Sequence, residues 1–238
     1  MKEVVSVSLG SSERDHRVRT RICGMTVRIV RIGTNGDIRK AKKWIQHLDG
    51  RADAIGLGGI DRYLTVGARR YPFRQAEELA RAARYSPVAD GSMLKGTLEK
   101  EAVLRLARTL GTLGGRRVLL VSAADRCGMA EAFAECGADL VCGDLLYGLG
   151  IPMPIRRLSV LRRIAEKLAP IVTRLPIHMV YPVGKQQLKR RPKFTRYFDE
   201  ADIIAGDYHY IHRYLPDRLD GKIIVTNTTT EDDRAFLK

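Results

Sequence analysis

"VLLVSAADRCGMAEAFAECGADLVCGDL", residues 118–145, sets the reading of the fold. A short apolar run, a tight polar turn, an amphipathic stretch and a second apolar run ending on Asp144 follow in order, as in a parallel βαβ unit. When such a unit holds a dinucleotide, its turn carries three glycines: one for the bend, one for close approach of the pyrophosphate, one for helix packing. Here Ala123 and Ala124 take the early positions, and Gly128 stands where the packing glycine would be. Asp144, 20 residues after Ala124, ends the second strand, where a carboxylate takes the ribose hydroxyls. Capping the following turn is its ordinary alternative. The helix start near Arg126 offers N–H groups and a cation to a phosphate.

The same grammar continues downstream. Strands are expected at 117–122, 139–143, 176–181, 202–206 and 222–226, and helices at 127–136, 157–169, around 193–200 and at 208–215. Short apolar runs alternating with helices imply an α/β fold with a doubly wound, mainly parallel, Rossmann-like sheet. Its ligand crevice lies beyond the carboxyl ends of the strands. Those ends read SAADRCG (122–128), GD (143–144), YPVGKQQ (181–187), GDYHY (206–210) and TNTTT (226–230). The cofactor-binding candidates are therefore Ser122, Ala124, Arg126, Gly128, Asp144 and Asn227.

Upstream lies a smaller α/β half with hairpins. EVVSVSL (3–9) is a strand, and RVRTRICGMTVRIVRI (17–32) is a hairpin about Cys23-Gly24. Asp37 or Asn35 caps the helix that follows. ADAIGLGGID (52–61) is a buried strand with a glycine-rich end, and a second hairpin turns about Gly67-Ala68. Helices are expected at 75–85 and 97–111, with a short strand at 86–90 between them. The glycine-rich, basic TLGGRR (112–117) is a boundary between an α/β N-terminal domain, 1–113, and a Rossmann-like domain, 114–238, or at least a hinge. The last residues, TTTEDDRAFLK, begin a helix as the chain stops, which reads as a short final helix or a fragment.

Composition narrows the class. With 238 residues, 45% hydrophobic, and no apolar run near the ~20 residues of a membrane span, the chain reads as a soluble, cytoplasmic protein. Its N-terminus turns polar after one strand and is not a signal peptide. Cys23, Cys127, Cys136 and Cys142 form no C-x-x-C pair, so neither a metal site nor a disulfide is expected. The formal charge of +15 is dispersed over RVRTR (17–21), RKAKK (39–43), RRLSVLRR (156–163) and KQQLKRRPKFTR (185–196). Dispersed cations suit a small anionic metabolite better than nucleic acid, the less favoured partner, and a homo-oligomer is compatible with them. For proton transfer the position-based candidates are Lys95 and Asp61, with His209 from GDYHYIHRYLP, although capping and surface roles are the commoner fate of such residues.

The runs GLGGIDRYLTVGARRYPFRQAEELARAA, PVADGSMLKGTLE, VSAADRCGMAEAFAECGADLVCGDLLYGLGIPMPIR and ADIIAGDYHYIHRYLPDRLDGKIIVTNTTTEDD resemble bacterial proteins labelled quinate dehydrogenase, a shikimate-type family. The resemblance covers nearly the whole chain. It implies an oxidoreductase that uses NAD or NADP on a cyclic hydroxy acid such as quinate or shikimate, the first domain binding substrate and the second nucleotide. The V-T-x-P-x-K and N-T-D segments that carry Lys and Asp in well-understood shikimate and quinate dehydrogenases do not occur here, so no catalytic residue is carried over by motif. Beside this reading stand a non-redox nucleotide- or metabolite-binding protein, and nucleic-acid binding through the basic surface.

Overall fold

The computed structural model describes residues 1–181, 189–227 and 229–238. Two compact units form: Met1–Met93 with the described part of Leu168–Gln187, and Leu94–Lys167 with the described part of Leu188–Lys238. In chain order the elements are β1 (Lys2–Ser8), β2 (Arg17–Ile22), β3 (Met25–Gly33), α1 (Ile38–Leu48), β4 (Ala54–Gly58), β5 (Tyr63–Val66), β6 (Arg69–Pro72), α2 (Arg74–Ala80), β7 (Val88–Ala89) and α3 (Ser92–Gly96). There follow α4 (Leu98–Leu110), β8 (Arg117–Leu120), α5 (Cys127–Glu135), β9 (Asp139–Cys142), α6 (Leu158–Val172), α7 (Ile177–Val180), α8 (Arg196–Glu200), β10 (Ile203–Gly206), α9 (Tyr208–Tyr214), β11 (Ile223–Thr226) and α10 (Glu231–Phe236). No described helix is long and apolar enough to cross a membrane.

The fold is α/β, and the second unit's sheet is parallel throughout, in the order β11-β10-β8-β9. Strand β8 explains why its sequence is apolar without alternation. Val118 and Leu120 join one core with Met129 and Phe133 of α5, whereas Leu119 and Val121 join another with Phe198 and Ile211. Successive side chains point to opposite faces, so a strand covered by helices on both sides must be apolar at every position. The sheet is doubly wound. From β8 the chain goes first to β9 on one side, then to β10 and β11 on the other, so a topological switch point falls between β8 and β10.

The first unit repeats this plan. Its parallel strands run β3-β1-β4-β7, with β2 added antiparallel beside β3. The β2–β3 turn holds Cys23 at φ 50° and Gly24 at φ 78°, the left-handed pair a two-residue hairpin demands. Asp37 caps α1, accepting the Lys40 N–H at 2.9 Å.

Two expectations are corrected. Residues 177–180 form a helix rather than a strand: a four-residue apolar run behind Pro176 carries no periodicity to tell the two apart. The division of the chain lies near residue 93, not 113. Val103 of α4 is buried in the core of Phe133 and Leu120, which ties that helix to the second unit, and the glycines at 114–115 form a tight lead into β8.

Candidate functional site at the second switch point

Ser122, Asp144, Asp207 and Asn227 follow β8, β9, β10 and β11 respectively, so they gather at one end of one sheet. The end at 181–187, with Lys185, follows helix α7, and residues 182–188 lie outside the described ones. Gly206 closes β10 at φ 134°, a conformation glycine enters readily and other residues avoid. The turn it permits sets Asp207 as the cap of α9, its Oδ1 accepting the His209 N–H at 2.9 Å.

Arg126 is the centre of the site. It is 4% exposed, and its guanidinium donates to Glu99 and to Asp207 Oδ2, the latter at 3.1 Å. Asp125 stands 4.0 Å from its Nε and is itself gripped by Lys95, whose Nζ lies 2.7 Å from both carboxylate oxygens. Asn227 closes the set, with Nδ2 3.4 Å from Asp207 Oδ2 and Oδ1 accepting the Tyr208 N–H. Two cations thus meet three carboxylates drawn from separate stretches of chain. Burial pushes the Glu99 carboxyl up, opposed chiefly by Arg126 and Lys95. Burial also raises the Tyr210 phenol, with Asp125 and Asp207 adding to the effect. Glu99 Oε2 and Ser122 Oγ are buried and lack a hydrogen-bond partner among the described residues.

The turn after β8 has its own occupant. Asp144 Oδ1 accepts the Ala124 N–H at 2.8 Å and Oδ2 the Ala123 N–H at 3.1 Å. The carboxylate folds back beneath the loop rather than capping the turn ahead of it. Gly128 is a close-packing glycine, but its neighbour is the Lys95–Gly96 backbone: a Cβ there would meet the Lys95 carbonyl oxygen at 2.3 Å.

Burial drives the Asp144 carboxyl up to about 6 from an ordinary 3.8, against the lowering effect of the two N–H groups. Because the folded state then holds the proton more tightly than the unfolded chain, this group favours folding below about pH 4. That contribution is lost as pH rises through about 6. The full effect is at most about 3 kcal/mol. Denaturant titrations of D144N and the parent chain at pH steps from 4 to 8 should show the variant gaining on the parent by up to that amount. A pH-independent difference would show an ordinary surface carboxylate.

Of the residues chosen for proton transfer, Lys95 and His209 lie in the second unit and Asp61 in the first. Lys95 is an anchored cation on Asp125. His209 contributes its backbone N–H to Asp207, while its ring lies edge-on to Tyr208. Asp61 is buried and accepts the Tyr181 hydroxyl at 2.9 Å. The first unit's glycine-rich loop serves packing: Cβ atoms at Gly58 and Gly59 would press on Ser8 and Gly10. Sequence reading passed over Glu99, and it gave Asp125, Asp207 and Tyr210 only as members of the strand-end runs 122–128 and 206–210, with no binding or catalytic role of their own. Asp207 had a visible signal, an acid immediately after an apolar strand; Glu99 had none. Among the described residues no cluster of His, Cys, Asp and Glu is arranged to hold a metal ion, and no disulfide joins Cys23, Cys127, Cys136 and Cys142.

The family model described as "Domain of unknown function (DUF8754)" matches residues 93–238, and that described as "Domain of unknown function (DUF8753)" matches residues 3–90. No curated protein matches the sequence. Among solved structures, unliganded arylmalonate decarboxylase is similar at 14% identity and a TM-score of 0.29, over 95% of this chain and 87% of that one. A dipicolinate synthase chain from Bacillus halodurans is similar at 12% identity and a TM-score of 0.29, over 94% of this chain and 80% of that one.

Proposed function

We propose, for a chain that belongs to the family described as Domain of unknown function (DUF8754), that it binds a small hydroxylated metabolite at the second unit's switch point and does so without a nicotinamide cofactor on the β8–α5 turn. The observation that carries this reading is the part-buried ion network around the buried Arg126, in which Glu99 Oε2 is unsatisfied, with the unsatisfied Ser122 Oγ at the same end of the sheet. Buried charge is costly to assemble and concentrates at functional sites. An unsatisfied carboxylate oxygen asks for a donor, and a serine hydroxyl can donate or accept. A ligand bearing a hydroxyl for Glu99 and an acceptor for Ser122 meets both needs. A cyclic hydroxy acid of the quinate and shikimate class, implied by the sequence resemblance, has that chemistry.

NAD and NADP fit the fingerprint turn poorly. The Ala123 and Ala124 amides are taken by Asp144, the Lys95–Gly96 backbone covers Gly128, and Arg126 is committed to Glu99 and Asp207. A pyrophosphate there would also face Asp125, Asp144 and Asp207.

Thermal-shift and calorimetric titration with quinate and shikimate at about 10 mM, and with NADH and NADPH at about 1 mM, tests the reading. A hydroxy acid should raise Tm by a few degrees, E99Q and S122A should abolish that shift, and neither dinucleotide should bind. Dinucleotide binding in the absence of any hydroxy-acid effect would overturn the proposal in favour of the oxidoreductase reading.

A further inference from the structure

The basic run RVRTR is not absorbed by the switch-point site. It forms β2, the outer strand of the first unit's sheet, and every residue of that strand is exposed. Pairing with β3 sets Arg17 opposite Val30, Arg19 opposite Arg28 and Arg21 opposite Thr26. Alternate residues share a face, so Arg17, Arg19, Arg21 and Arg28 stand on one side of the ribbon. Arg28 reaches Glu3 at 3.5 Å, whereas Arg17, Arg19 and Arg21 form no ion pair among the described residues.

That side is also the side covered by α1. Val30 shares a core with Val5 and with Ala41 and Ile45 of α1, while Arg39, Lys40, Lys42 and Lys43 of the same helix point outward and are wholly or partly exposed. Two of the four basic runs therefore lie on the same side of one sheet, RVRTR on its outer strand and RKAKK on the helix that covers it.

We infer that this face, built on Arg17, Arg19 and Arg21, docks the phosphate backbone of a nucleic acid. Three features of the ribbon select that occupant. Arg19 and Arg28 are like charges directly across a strand pair, and Glu3 answers Arg28 alone, which leaves Arg19 without an ion-pair partner among the described residues. Alternate arginines repeat at roughly 6.6 Å along a strand. That is close to the repeat of phosphates along an extended single strand, which a groove-free, one-sided row can follow. A second copy of this chain is disfavoured. Symmetric antiparallel pairing of two β2 edges would set Arg17 against Arg21 and Arg19 against itself, the charged-edge device that blocks sheet extension. The inference is independent of the metabolite site and uses none of its residues.

The test is fluorescence anisotropy of labelled single-stranded and duplex DNA oligonucleotides with the full chain over a salt series. The parent should bind single-stranded DNA with a Kd of roughly 1–100 µM at about 50 mM salt. R17E/R19E/R21E should weaken binding at least tenfold and flatten the slope of log K against log salt by about 2, the share of three phosphate contacts on a single strand. R105E/R157E/R163E in the second unit, with the same change in net charge, should weaken it less than threefold. R17Q/R19Q/R21Q, checked by circular dichroism beside the glutamate variant, gives the same direction without introducing acids and decides the matter should the glutamate variant unfold. Equal losses in the two triple-glutamate variants, an unaltered salt slope, or no binding by the parent at about 100 µM protein would overturn the inference. Tighter binding of duplex with the same arginine dependence would keep the surface and change the strandedness of its partner.

Discussion

Replacing Arg126 with alanine is expected to cost about 3–5 kcal/mol of folding stability at pH 7, the largest effect of any single side chain in the second unit. The guanidinium is 4% exposed and joins Glu99 to Asp207 across the switch point. Its removal leaves Glu99 and Asp207 facing each other with only the Lys95 ammonium, already held by Asp125, as a nearby cation, and opens a cavity between α4, α5 and β10. Glu99, already pushed up by burial and held down chiefly by Arg126, would rise further in the variant. A carboxyl with a raised folded-state pKa favours folding at low pH and loses that contribution as pH rises. The penalty of R126A should therefore shrink from pH 8 toward pH 5. Denaturant midpoints at three pH values measure it. R126K keeps the charge but not the planar fork, and should fall between the two. The double variant E99Q/R126M should be more stable than R126A, because it removes the stranded charge along with the arginine. A loss below 1 kcal/mol would mean that the network is solvated and not the centre of a buried site.

Gly128 carries the second large effect. A methyl group there would sit 2.3 Å from the Lys95 carbonyl oxygen and 3.1 Å from Gly96 Cα, both backbone atoms that no rotamer change can move. G128A should force the Lys95–Gly96 segment off the start of α5, at a cost of about 3 kcal/mol or more, toward the upper end for overpacked sites. Because that segment carries Lys95 and leads into Glu99, the Lys95–Asp125 and Arg126–Glu99 pairs should loosen with it. Metabolite affinity should fall along with stability. Gly148 is the control: a Cβ there meets nothing within 4 Å, and G148A should stay within about 0.5 kcal/mol of the parent. Urea unfolding of the two variants separates the outcomes. Parity between them would show that the α5 start is open, and would restore room for a phosphate at that turn.

The sequence alone determined what depends on neighbours in the chain. Residues 118–145 declared a strand, a helix and a strand through local periodicity, and β8, α5 and β9 formed there. The Cys23-Gly24 turn and the Asp37 cap were readable because a hairpin and a helix start are closed by residues two to four apart. The positions of Ser122, Asp144, Asp207 and Asn227 at one sheet end followed from the same alternation. Tertiary structure decided what those residues do. Asp144 had the spacing of a ribose ligand and became the acceptor for the Ala123 and Ala124 amides, because the fold turned its carboxylate inward. Gly128 had the place of a packing glycine, but the backbone that packs on it comes from residues 95–96. Arg126 finds its partners 27 and 81 residues away, a distance at which no local pattern signals a contact. Hydrophobic periodicity writes elements into a sequence because burial is a repeated, short-range demand. A buried ion pair is a single event between distant positions, and only the folded chain brings its members together.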